Sequence, residues 1–383
     1  MLVYLDNAAT TKIDPRVLKK MAPYFTKHYG NASAIHFMGQ ENDLEIANCK
    51  QRLAKLFKAD PRNIIFTASA TEANNFIIKG VMRANTARGK HLLISAIEHP
   101  CVLNSARELA SEGYEVEYIP VSSDGLIDLA VLKKMIRPDT VLVSIMTVNN
   151  EIGVIQDIAG ISKVVHERGA LLHTDAVQAV PYLTIDIKKL KIDYLSLSAH
   201  KFYGPLGAGL AFINPEVKIK PLIVGGGQEN GLRAGTYNLP GIVGLTTALE
   251  LAYKERVVYI KKVKALRDYL WKKIKQEIPE VGLNGSWRNR VPNNLNVLFK
   301  RIEGEAILMD LSFKGICVST GSACSAQNLK VSTTLKALGL KDDNLNSNIR
   351  FSLGKYNTKK EIDYTIKCLK TTVERLRKFT PIK

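Results

Sequence analysis

The chain has 383 residues, 46% hydrophobic and 23% charged, a composition ordinary for a globular protein and a length that suggests two domains. The net charge is +18, from 54 basic and 36 acidic residues, but no RNA- or DNA-binding motif accompanies it, so no direct nucleic-acid partner is expected. No segment approaches the ~18 consecutive apolar residues of a spanning helix, and the first residues lack the basic and apolar regions of a signal peptide, so no membrane partner and a cytoplasmic location are expected.

In chain order, short apolar runs predict strands over 64–67, 92–95, 116–119, 141–146, 170–173, 194–197 and 209–213. Helical patterns such as 41–57 and 158–168 lie between them. This alternation predicts an α/β domain with a mostly parallel sheet. From about Tyr253 the pattern changes to a long basic helix, a strand over 294–299, a stretch of small residues around Gly321 and a closing helix over 359–378. The second part reads as a smaller α+β domain. The expected division is 13–254 and 255–383, the latter completed by 1–12.

Ligands of such sheets sit beyond the carboxyl ends of the strands, so the strand ends hold the candidate site. The first leads into Ser69-Ala70-Thr71-Glu72. Ser69 and Glu72 have capping-box spacing, which leaves the first N–H groups of a helix, at Ala70 and Thr71, open to a phosphate. The 92–95 strand leads to Glu98-His99. His99 is placed to stack on a ring and move protons, although a lone histidine is more often structural. Asn150 leaves the 141–146 strand in Asn149-Asn150-Glu151-Ile152-Gly153, which also reads as an ordinary turn.

Two strand ends carry the sharper signals. His173-Thr174-Asp175 delivers a carboxylate where an apolar strand stops. A buried carboxylate calls for a cation, and a cofactor's pyridinium nitrogen is one. The alternative for Asp175 is the N-cap of a helix through 176–180. Gln178 follows within reach of the same ring. Ser198-Ala199-His200-Lys201 ends the 194–197 strand beside a Gly-rich turn, and a lysine in an apolar site becomes a nucleophilic amine suited to Schiff-base chemistry.

Three later segments complete the set. Gly225 to Thr236 is too Gly-rich for regular structure and suits a loop near an anion. Cys324 lies in Gly321-Ser322-Ala323-Cys324-Ser325-Ala326, whose small side chains predict a mobile loop that presents a nucleophilic thiol. Arg350, in an alternating run, is suited to clamping a carboxylate. The five cysteines contain no C-x-x-C pair, which argues against a structural zinc site, and no intrinsic metal is expected. Residues 256–275 hold eight basic residues and one acid, either a solvated helix face or a surface for an acidic partner.

From Tyr4 to about Leu376 the chain resembles the cysteine desulfurases of the NifS/IscS type, within the fold-type I pyridoxal-phosphate enzymes. The resemblance rests on Tyr4-Leu5-Asp6-Asn7-Ala8-Ala9-Thr10-Thr11, Ala70-Thr71-Glu72, Glu98-His99, Asn149-Asn150-Glu151-Ile152-Gly153, and His173-x-Asp175-Ala176-x-Gln178. It continues through Ser198-x-His200-Lys201, Gly225 to Thr236, Gly321-Ser322-Ala323-Cys324 and Ile349-Arg350-Phe351-Ser352-Leu353-Gly354.

The resemblance implies pyridoxal 5'-phosphate held as a Schiff base on Lys201. Asp175 would sit on the ring nitrogen, Gln178 and Asn150 on the phenolic oxygen, and Ala70, Thr71, Ser198 and His200 on the phosphate. Thr236 would reach the phosphate of a neighbouring subunit, which implies a homodimer, and His99 would stack over the ring. Arg350 with Asn31 would bind the carboxylate of L-cysteine. Cys324 would take the sulfur as a persulfide, with release of alanine, and pass it to an iron–sulfur scaffold or a tRNA-thiolation enzyme. Cys324 is also a candidate cluster ligand shared with that scaffold. Selenocysteine lyase, cysteine-sulfinate desulfinase and a general aminotransferase are the alternatives. Ser69, Ala32, Leu206 and Gln228 depart from the family's usual residues.

Overall fold

The computed structural model describes residues 1–320 and 331–379. In chain order its strands are β1 (Val3–Tyr4), β2 (Ile64–Thr67), β3 (His91–Ser95), β4 (Glu115–Ile119), β5 (Thr140–Ser144), β6 (Leu171–Asp175), β7 (Tyr194–Ser198), β8 (Gly209–Ile213), β9 (Val281–Leu283), β10 (Asn294–Phe299), β11 (Ile316–Cys317) and β12 (Asn348–Ser352). Strands β2 to β8 form one sheet in the order β2-β8-β7-β6-β5-β3-β4. Only β8 runs against its neighbours; the other pairings are parallel. The fold is α/β, with a central, mostly parallel sheet.

Every residue of β3, β5, β6, β7 and β8 is buried, so these strands carry apolar residues on both faces and no solvent-facing side. The two faces feed different cores. Leu92 and Ile94 pack with Phe76, Ile77 and Val81 of the helix Ala70–Ala84. Leu93 and Val143 pack on the other face with Leu53 and Phe57 of the helix Phe37–Phe57.

A third core gathers Val3, Leu5, Val263, Leu270, Val297, Phe351 and Leu369. Here β9, β10 and β12 form a three-stranded antiparallel sheet, and β1 pairs in parallel with β11. The long basic helix does not begin near Tyr253 as the pattern suggested. It runs unbroken from Leu239 to Glu277, with Pro240 in its first turn and the Asn238 side chain accepting the Gly241 N–H. Leu245 and Leu249 belong to the core of the central sheet, and Val263 and Leu270 to the third core, so one rod of 39 residues joins them.

Candidate active site

The carboxyl ends of β3, β5, β6 and β7, together with the end of β2, face one cavity of about 290 Å³. Ala70, Thr71, His99 and Asn150 line it, as do Asp175, Gln178, Ser198, His200, Lys201 and Arg350. Asn31 and Thr236 do not. Asn31 is exposed, its side chain accepting the Ser33 N–H, and Thr236 lines a separate cavity of about 150 Å³ with Ala68 and Arg233. Cys324 lies outside the described residues.

At one end of the cavity the helix Ala70–Ala84 begins. Ser69 caps it by accepting the Glu72 N–H at 3.2 Å. The return bond of the expected box goes one residue further back: Glu72 accepts the Ala68 N–H, and its carboxylate also pairs with Arg233. The helix therefore presents its N-terminal N–H groups beside Ser198 and His200, a donor set that suits a phosphate. His200 is held by Thr10 Oγ1 at 3.1 Å; burial and the nearby Lys201 lower its pKa to about 4.

On the cavity wall, Asp175 is 5% exposed. The helix weighed as the alternative for Asp175 is absent; 177–180 form turns, and Asp175 Oδ1 accepts the Val177 N–H at 3.0 Å. Its Oδ2 accepts from Asn74 Nδ2 at 2.7 Å. A buried carboxylate whose hydrogen bonds come from neutral N–H groups keeps its charge for a cationic partner, as a protonated ring nitrogen would be. Gln178 donates to the carbonyl of Ala8 at 2.9 Å. Lys201 Nζ donates to the carbonyls of Ala8 and Ala9 at 2.8 and 2.7 Å. The segment after β1 thus forms part of the site.

His99 caps the helix Pro100–Ser111, its Nδ1 accepting the Cys101 N–H. That bond puts the proton of the neutral ring on Nε2. Burial, reinforced by Lys201 and opposed by Asp175, lowers its pKa, so the neutral form is favoured. Cys101 also lines the cavity, its Sγ 3.0 Å from His99 Nδ1, and burial pushes its thiol up to about 12. This sulfur is protonated at neutral pH and is a poor nucleophile.

Arg350 is 3% exposed on β12. It pairs with Asp6 Oδ1 at 2.8 Å and donates to the Asn150 carbonyl at 2.9 Å; its buried Nε has no hydrogen-bond partner among the described residues. The backbones of Ser319 and Arg350 pair with each other in an antiparallel bridge.

Asn74, Cys101 and Asp6 were not singled out in the sequence. Asn74 sits mid-helix and Cys101 one position past a proline, where nothing marks chemistry. Asp6, Ala8 and Ala9 do fall within the first quoted motif, which was the available signal.

A doubly covered sheet of this order, with a lysine, an aspartate and a histidine converging at its strand ends, is the frame of a pyridoxal-phosphate enzyme. The aminotransferase class-V family profile matches residues 3–365, and the chain belongs to that family. It is 44% identical over 381 residues to cysteine desulfurase IscS of Dictyoglomus turgidum, covering 100% of this chain and 97% of that protein. It is 45% identical to the human cysteine desulfurase, covering 99% of this chain and 83% of that one. A solved NifS-like protein superposes with a TM-score of 0.93 at 38% identity, over 98% of this chain and 100% of that one. Class-V aminotransferases depend on pyridoxal phosphate, and the cavity fits it: helix N–H groups for an anion at one end, an acceptor-only carboxylate on the wall, and an amine between them.

Proposed function

We propose that this chain is a cysteine desulfurase that takes sulfur from L-cysteine, releases L-alanine and carries the sulfur as a persulfide on Cys324. The observation that carries the reading is the single cavity in which Lys201, Asp175, His99 and Arg350 converge. The near full-length likeness to proteins named cysteine desulfurases supports it.

When bound, the cofactor supplies a conjugated ring that accepts the electrons released at the substrate's α-carbon. Lys201 would hold it through its amine and would remove the α-proton of the substrate. Asp175 would pair with the ring nitrogen, while Gln178 and Asn150 would address the phenolic oxygen. Ala70, Thr71, Ser198 and His200 hold the phosphate. His99, on the cavity wall, would stack on the cofactor and move a proton through Nε2. Arg350 orients the substrate carboxylate, and Asn31 assists. The Cys324 thiolate attacks the substrate sulfur; the Cβ–S bond breaks, its electron pair stays with the carbon fragment, and protonation yields alanine. The sulfur then leaves Cys324 for an acceptor, an iron–sulfur scaffold or another sulfur-accepting protein.

We infer a homodimer, supported by exposed Phe25, Tyr29, Ile35, Phe37, Leu206 and Val224 and by the separation of Thr236 from its own chain's cavity. The two cores support a division into 13–254 and 255–383 with 1–12, spanned by the long helix. Exposed Lys261, Lys262, Lys264, Lys272 and Lys275 suit an acidic acceptor. We propose a cytoplasmic site of action. No described helix is long and apolar enough to cross a membrane. The reading is tested by supplying the cofactor-loaded protein with L-cysteine and a reductant. Equal release of alanine and sulfide, lost in Lys201→Ala, is expected; alanine without sulfide, or turnover only with an added amino acceptor, contradicts it.

A further inference from the structure

Among the described residues lining the cavity, Asp175 is the only carboxylate. A carboxylate's terminal torsion is broad, so a hydrogen bond from its own turn leaves its plane loosely set. The second bond comes from Asn74, which is 0% exposed on the helix Ala70–Ala84. The amide is itself held on its other side, where its Oδ1 accepts from the hydroxyl of Ser196. Ser196 stands directly opposite Asp175 in the parallel register of β6 and β7. Asn74 Nδ2 also lies 3.2 Å from the Cys101 sulfur. The orientation of the amide follows from chemistry: an ionised carboxylate only accepts, so Asn74 turns its NH₂ to Asp175 and its oxygen to the hydroxyl.

We propose that Asn74 is a positioning residue that aims Asp175 at the ring nitrogen of the cofactor and keeps its charge available. A neutral donor is the apt choice. A lysine or arginine in its place would pair with Asp175 and compete with the pyridinium, whereas an apolar residue would leave a buried carboxylate oxygen without its donor. The helix that carries Asn74 also offers the N–H groups of its first turn to the phosphate end, so one element sets both contacts. The proposal rests on the reading of Asp175 as the partner of the ring nitrogen.

The test follows the visible absorbance of the lysine-bound cofactor against pH, and the rate of cofactor release, in the full-length protein. The variants are Asn74→Ala, Asp175→Ala and the double variant. A less firmly protonated ring carries less positive charge, so the linked nitrogen protonates more easily. Asn74→Ala is expected to raise the titration midpoint and speed cofactor release about tenfold, the scale of one charge-assisted hydrogen bond. Asp175→Ala is expected to do both more strongly, and the double variant to match Asp175→Ala alone, because the two act as one unit. Should Asn74→Ala fail to fold, Ser196→Ala is read instead, with a smaller shift in the same direction. A wild-type titration in Asn74→Ala or its substitute beside a shifted Asp175→Ala overturns the role of Asn74, as does simple addition of the two effects. An unshifted Asp175→Ala overturns the reading of Asp175 itself, and the proposal with it.

Discussion

At the scale of single residues, the site is built around buried groups whose neighbours fix their geometry. Arg350 is the clearest case: Asp6 and the Asn150 carbonyl hold its guanidinium in place. A planar fork fixed on two sides meets a carboxylate in one geometry, which a lysine ammonium does not reproduce. Arg350→Lys is expected to raise KM for L-cysteine about tenfold or more while retaining cofactor, as steady-state kinetics would show. Glu98 makes a different prediction. It is fully buried, Oε1 accepting from Ser95 and the Met146 N–H, and burial raises its pKa to about 8 from 4.5. Between those values the folded chain keeps a proton that the unfolded chain has released, so stability is full below 4.5 and falls as pH rises toward 8. Glu98→Gln removes that slope. Denaturation from pH 5 to 8 is expected to show a shallower decline in the variant, with a remainder from Glu151, whose pKa is likewise raised by burial to about 7. Lys201, His99, Asp175 and Arg350 were legible because unusual residues stood at strand ends or in an alternating run. Asn74 and Glu151 were not, because their partners come from distant parts of the chain: Asp175 for the one, Ser332 for the other.

At the scale of elements, the sheet does the assembling. Short apolar runs marked β2 to β8 to within a few residues because both faces are covered and every position must be apolar or satisfied. The start of the long helix was less legible. Leu239 to Leu249 are buried by the central sheet, whose packing masks the amphipathic period there, and the basic stripe begins only where the helix leaves that core. The helix considered after Asp175 was similarly replaced by turns, since Asp175 caps only its own turn. Close approach of β8 to the phosphate end yields a prediction. A Cβ on Gly209 would stand 2.5 Å from the Ser69 carbonyl carbon and 2.7 Å from Thr67 Oγ1. Gly209→Val must displace the cap of the helix Ala70–Ala84, and cofactor retention on gel filtration is expected to fall sharply while far-ultraviolet dichroism changes little.

At the scale of the whole molecule, the proposed homodimer would cover exposed apolar residues and bring Thr236 to a neighbouring cavity. Ile35 is 93%, Phe37 71% and Val224 79% exposed. Single apolar side chains on a surface are ordinary, and the proposed dimer is what would make these a contact face. Joint Ile35→Asp and Val224→Asp substitution is expected to yield monomers in sedimentation that hold cofactor weakly and lose turnover. Active monomers would show that Thr236 serves no partner. Of the eight basic residues in 256–275, Arg267 turns inward, stacking on Trp287 at 4.4 Å and donating to the Val291 carbonyl. The sequence alone could not separate that buried arginine from the exposed lysines around it, because both recur at helical spacing.

In the proposed reaction, sulfur leaves L-cysteine by way of Cys324. The most direct measurement is alanine and sulfide release from L-cysteine with a reductant, for the wild type and Cys324→Ser, both loaded with cofactor. The expected result is equal release of both products by the wild type and collapse of both in the variant, with the visible spectrum of the bound cofactor unchanged. Release that survives in Cys324→Ser would contradict it and place the chemistry with the selenocysteine lyases or sulfinate desulfinases, which depend less on that thiol.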